Sequence, residues 1–146
     1  MLTPPLGHAA IAARVPHAGG MCLLQSAEHW DAGSILCTAL SHRDTANPLR
    51  RGGLLPAICG VEYALQAMAL HGALTDDGPQ PAGFLASLRG VALMVERLDD
   101  QPGALRVTAS ALAREARSFV YGFEVAAGGR LLLSGQAAVI LPEAAA

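Results

Sequence analysis

The sequence predicts an α+β domain in which one antiparallel sheet wraps around a single long helix. Three observations lead there. The stretch "PAICGVEYALQAMALHGAL", residues 56–74, is helical in length and apolar nearly all round. Short apolar segments, several of them alternating, lie on both sides of it between Gly, Pro and Asp turn signals. Hydrophobic residues make up 52% of the chain and charged ones only 15%, so a large fraction must be buried, inside the domain or against a second subunit. A sheet with one apolar face needs a cover, and a helix surrounded by protein needs no polar face of its own. The 146 residues suit one domain, 1–146, which at that size buries about two-thirds of its unfolded surface.

The elements follow in order. Residues 7–14 form a short helical run, stopped by Pro16 and the Gly19-Gly20 pair, with His17 in the loop between. "MCLLQSAEHW" and "SILCTALS" are two apolar, partly alternating runs around Asp31, Ala32 and Gly33, which read as a hairpin. From His42 to Leu55 the chain is irregular, broken by Asn47-Pro48 and Gly52-Gly53. Pro56 suits the first position of the long helix, where its missing N–H is not needed. The helix runs to about Leu74 before "TDDGPQP" ends it, roughly 27 Å at 1.5 Å per residue. Three or four strands come after it: "GFLASLRGVALMVERL", "ALRVTASALARE", "SFVYGFEVAAGG" and "RLLLSGQAAVILP", with "AAGGR" as a hairpin turn.

Composition excludes several function classes. The formal net charge is −2, and all ten basic residues are arginines spread along the chain, so nothing tracks a nucleic-acid backbone. The one basic pair, Arg50-Arg51, is either a solvated loop or a contact for an anionic partner. Cys22, Cys37 and Cys59 are too far apart for a metal knuckle, and each sits in an apolar run as a buried free thiol would. The N-terminus has no basic stretch followed by an apolar one, so no secretory signal is read and the cytoplasm is expected. A membrane span is not expected either, because Glu62 and Gln66 lie inside the apolar run.

Glu62 is the acid that needs explaining. At about 100° per residue Glu62 and Gln66 lie about 40° apart on one stripe of the helix, while His71 falls on the far side. A carboxylate among apolar residues must be hydrogen-bonded, paired, or facing a cavity. Gln66 is placed to hold one of its oxygens. An arginine such as Arg89 is the structural alternative, as one half of a buried ion pair, and the spacing alone does not choose between these readings.

"LLPAICGVEYALQAMA" resembles the start of the central helix in the hotdog-fold 3-hydroxyacyl-acyl-carrier-protein dehydratases, where a proline and a small residue precede an acid followed four residues on by glutamine. "VPHAGGMCLL" resembles the Pro-His segment that leads into their first strand. The likeness is strongest to the dehydratase-like branch of aryl polyene and related lipid clusters. It implies a hotdog fold, a dimer with sites at its interface, and dehydration of a 3-hydroxyacyl thioester on acyl carrier protein with no cofactor and no metal. Elimination needs a base for the α-proton and an acid for the departing hydroxyl, roles that a histidine and a carboxylate divide. The resemblance makes Glu62 the carboxylate. The N–H groups of Ala57 and Ile58, at the helix start, become the placed donors for the thioester oxygen, with Gln66 beside the substrate.

One departure matters. Fourteen residues before the acid, where the best-known members carry their catalytic histidine, this chain has Pro48, preceded by Asn47. His17, in the segment that lines the acyl tunnel of the aryl polyene branch, is therefore the expected partner of Glu62, with His42 in reserve. His8 and His29 read as surface or satisfied residues. Two alternatives stay open: a hotdog thioesterase using the acid alone, and a non-catalytic subunit of an active dehydratase. The expected partners are a carrier-bound acyl thioester and a second hotdog subunit, identical or not, with Arg50, Arg51 and Arg89 as contacts for an acidic carrier.

Overall fold

The computed structural model describes residues 2–15, 19–75 and 83–142. In chain order the elements are β1 (Leu6–Gly7), α1 (His8–Ala12), β2 (Ser26–Trp30), β3 (Ser34–Ala39), α2 (Gly60–Thr75), β4 (Phe84–Leu93), β5 (Leu105–Arg114), β6 (Ser118–Ala127) and β7 (Arg130–Ile140). The strands make one antiparallel sheet in the order β1-β2-β3-β5-β6-β7-β4, packed against α2 in the hotdog arrangement.

Local chemistry makes the hairpins. Asp31 Oδ1 accepts the N–H groups of Gly33 and Ser34, each at 2.9 Å, which closes the β2–β3 turn and holds the Asp31 carboxyl below its usual range. Gly128 and Gly129 join β6 to β7 with φ of 57° and 77°, the paired left-handed geometry of a two-residue hairpin turn. Alternation then selects the inner face: Leu105, Val107 and Ala109 of β5 and Tyr121, Phe123 and Val125 of β6 are buried, with exposed or half-exposed residues between them.

The long helix begins in two stages. Pro56 caps a turn of 3₁₀ helix, Ala57–Cys59, and α2 continues from Gly60 to Thr75, close to the predicted span. A Cβ built on Gly60 would lie 2.6 Å from Leu133 Cδ2, so the helix start approaches β7 as closely as a glycine permits. Among the described residues no helix is long and apolar enough to cross a membrane.

Two expectations change. The apolar stretch 21–24 is not part of a strand: a 3₁₀ turn, Gly19–Met21, precedes it and β2 starts only at Ser26. The first helix is shorter than expected, five residues against eight. Pro16, His17 and residues 76–81 of the expected helix terminator lie outside the described residues.

Candidate functional site

Glu62 stands in the first turn of α2 and is half-buried. Leu65, Ala69 and Gly72 share its partial exposure, while Val61, Tyr63, Ala64, Gln66, Ala67, Met68, Leu70, His71 and Ala73 are buried. The spacing 62, 65, 69, 72 is one face of a helix, so the chain leaves a single strip of α2 incompletely covered, apolar except for the carboxylate. Cys59 lies one turn earlier. Burial raises its thiol pKa; the Arg51 guanidinium lowers it and the Glu62 carboxylate raises it, so both charges act near the head of the helix.

Gln66 has a different task from the one expected. Its Oε1 accepts the Leu23 N–H at 2.8 Å and its Nε2 donates to the Met21 carbonyl at 2.5 Å. Residues 21–24 lie outside the ladder of β2, so their backbone groups need partners elsewhere, and a fully buried amide on the helix supplies two of them. The signal in the sequence was a buried amide within an apolar helix. Its partners, more than forty residues earlier, carried none.

At the helix start the two proposed donors separate. The Ala57 N–H donates to the Glu96 carbonyl at 3.0 Å, and the Leu98 N–H to the Leu55 carbonyl at 2.8 Å, because residues 55–57 run antiparallel beside 96–98. Ala57 is thus corrected to a structural donor. The Ile58 N–H meets no backbone acceptor among the described residues, and the residue is 49% exposed. The Ile58 N–H lies at the end of the helix that favours negative charge.

The other expected residues fall as follows. His17 lies outside the described residues. His42 is fully buried; its Nε2–H donates to the Gln101 carbonyl at 3.1 Å, and burial pushes its pKa down. Arg89 is on β4, in a groove with Thr108, Ser110, Glu124 and Gln136 on the outer face of the sheet, so it is not a buried partner for Glu62. Arg50 donates to the Gly53 and His42 carbonyls, and Arg51 to the Arg50 carbonyl, which makes both part of their own loop's structure.

Two buried polar groups went unread. His71, fully buried, donates from Nε2 to the Asp31 carbonyl at 2.8 Å and shares a hydrogen with the Tyr121 hydroxyl at 2.8 Å from Nδ1. Tyr63, also fully buried, lies 2.9 Å from Ser41 Oγ and accepts from Asn47 Nδ2 at 3.1 Å. Both fasten α2 to loops distant in sequence. What the site offers chemically is one carboxylate at the head of an apolar strip and, one turn before it, the Ile58 N–H, which meets no backbone acceptor among the described residues.

Comparison with known proteins agrees with this fold. The family model described as ApeP-like, ApeP dehydratase, matches residues 9–146. Among solved structures, a chain of the dehydratase heterocomplex ApeI:P from Xenorhabdus doucetiae is 21% identical over 91% of each chain, with a TM-score of 0.79. Zebrafish thioesterase superfamily member 2 is 14% identical over 92% of this chain and 93% of its own, with a TM-score of 0.65. No curated protein matches the chain.

Proposed function

Because the chain belongs to the ApeP-like dehydratase family, we propose that it removes water from a 3-hydroxyacyl thioester carried on acyl carrier protein, giving the trans-2-enoyl thioester. The observation that carries this reading is the placement of Glu62, a half-exposed carboxylate in the first turn of an otherwise apolar strip, four residues after Ile58, whose N–H meets no backbone acceptor among the described residues. His17 and Glu62 divide the proton transfers. One takes the C2 proton while the other protonates the C3 hydroxyl; the C3–O bond breaks, the C2–C3 double bond forms and water leaves. As the C2 proton departs, charge gathers on the thioester oxygen, where the Ile58 N–H and the helix dipole stabilise it. The elimination is redox-neutral and its bond changes are driven by two proton transfers, so the chemistry calls for no cofactor, and the reading places the reaction in the cytoplasm.

The same reading includes a second hotdog subunit. β4 has no strand on its far side among the described residues, and it exposes Phe84, Leu85, Leu88 and Leu93. Together with the uncovered strip of α2 it supports an edge-to-edge assembly, as a homodimer or a heteromer.

The deciding experiment incubates the protein, alone and with a co-expressed second hotdog subunit, with 3-hydroxyacyl carrier-protein thioesters of several chain lengths. Enoyl product is followed by mass, with Glu62→Gln as the control. Product that disappears in the variant is the expected result. Absence of turnover in both settings sinks the reading, and release of free acid and free thiol replaces it with thioester hydrolysis.

A further inference from the structure

The Tyr63 hydroxyl is the junction of a hydrogen-bond chain whose direction can be worked out. Ser41 Oγ carries one proton and lies 2.7 Å from the Leu23 carbonyl, which can only accept. That proton therefore goes to Leu23. In the 2.9 Å contact between Ser41 Oγ and Tyr63 the phenol must then be the donor, which leaves its oxygen free to accept from Asn47 Nδ2 at 3.1 Å. The second Asn47 Nδ2 hydrogen goes to the Ser41 carbonyl at 2.9 Å, and Asn47 Oδ1 accepts the Leu49 N–H at 2.9 Å. The chain runs Asn47 to Tyr63 to Ser41 to Leu23, and the Leu23 N–H returns it to α2 at Gln66.

Every member is satisfied, and its central hydroxyl is fully buried, as is Gln66. Such networks are stiff, because each bond polarises the next and a broken member strands a desolvated group. This one joins three stretches that are far apart in sequence: residues 21–24, residues 41–50, and the turn of α2 that contains Glu62.

We propose that Tyr63 is a positioning residue for Glu62, its hydroxyl binding residues 21–24 and 41–50 to the turn of α2 that carries the carboxylate, so that the three stretches move as one unit. The proposal rests on the reading of Glu62 as a reacting group. It assigns Tyr63 no contact with substrate.

Tyr63→Phe keeps the ring volume and deletes the junction, while Ser41→Ala deletes the branch to Leu23 together with the acceptor of the Tyr63 hydroxyl, keeps the Asn47–Tyr63 contact, and guards against a variant of Tyr63 that fails to fold. Hydrogen exchange is read by mass spectrometry on the full-length protein. In Tyr63→Phe, exchange is expected to rise about tenfold in both 21–24 and 41–50, the change for one net hydrogen bond lost, with residues 67–75 unaffected. Ser41→Ala is expected to raise it in 21–24 only. In the dehydration assay kcat of Tyr63→Phe is expected to fall about tenfold or more while KM stays within about threefold, the pattern of a misplaced reacting group. Unchanged exchange, a rise spread evenly through α2, or raised exchange with unchanged kcat overturns the proposal. A wild-type protein without turnover sinks the dehydratase reading, and the exchange pattern alone then decides whether the coupling stands.

Discussion

Asp99 Oδ1 accepts the Leu55 N–H at 2.8 Å while the same carboxylate is ion-paired with Arg97. The pairing fastens the approach to α2 onto the turn after β4, and the Asp99 side chain is only 5% exposed. The Arg97 hydrogen bond, aided by the Leu55 N–H, holds the Asp99 carboxyl far below its usual range. A carboxyl whose pKa is depressed by folding contributes stability that is present above its unfolded pKa, near 3.9, and is lost as the pH falls toward the folded value. Thermal unfolding followed from pH 7 to pH 2 should therefore show a loss of stability in the wild type below about pH 4 that is shallower in Asp99→Asn. At pH 7 Asp99→Ala should be less stable by about 1–3 kcal/mol, the effect of stranding the Leu55 donor and the Arg97 charge.

Gln66→Met keeps the length of the side chain and removes both of its polar ends. The Leu23 N–H and the Met21 carbonyl then lose their partners, and denaturant unfolding should show a loss of about 2–4 kcal/mol. A loss below about 0.5 kcal/mol would mean that water replaces the amide.

Gly60→Ala sets two effects against each other. Alanine favours the helix by about 1 kcal/mol at most over glycine, but its methyl would meet Leu133, whose side chain is fully buried and has little room to turn. Overpacking should win, with a net loss of about 1–2 kcal/mol in chemical denaturation, recovered in the double variant Gly60→Ala/Leu133→Val.

Burial pushes the Cys37 thiol up to about 12, and the residue is fully buried. Iodoacetamide at pH 8 should leave Cys37 unmodified in the folded protein and label it in guanidinium, as read by peptide mass mapping.

Glu62→Gln should leave the thermal midpoint within about 2 °C, because a half-exposed carboxylate on the uncovered strip contributes little to folding. Paired with lost turnover, that result would separate a chemical role from a structural one.

The parts of the fold that were legible in the sequence are those with local causes. Pro56 marked the start of the long helix, Asp31 to Gly33 and Gly128-Gly129 marked two hairpins, and alternation marked β5 and β6. What depended on distant partners was hidden. Residues 21–24 are as apolar as a strand, yet their backbone groups are met by the Gln66, Ser41 and His8 side chains and by the Gly19 carbonyl instead of a neighbouring strand. Ala57 looked like a free donor because its acceptor, Glu96, lies beyond the helix and β4. Glu62 was legible because an acid inside an apolar run needs a reason, while the half-exposure of its strip had no local signal.

A shaft that is equally oily on all sides has no preferred angle in its sleeve, because hydrophobic burial is non-directional. Tyr63, Gln66 and His71 act as the key in that sleeve: each reaches its partners at one rotation of α2 only. Turning the helix by one residue, about 100°, would strand all three at once. The angle at which Glu62 faces outward is thus indexed by residues that meet only protein, and changes in them would re-aim the carboxylate without altering it.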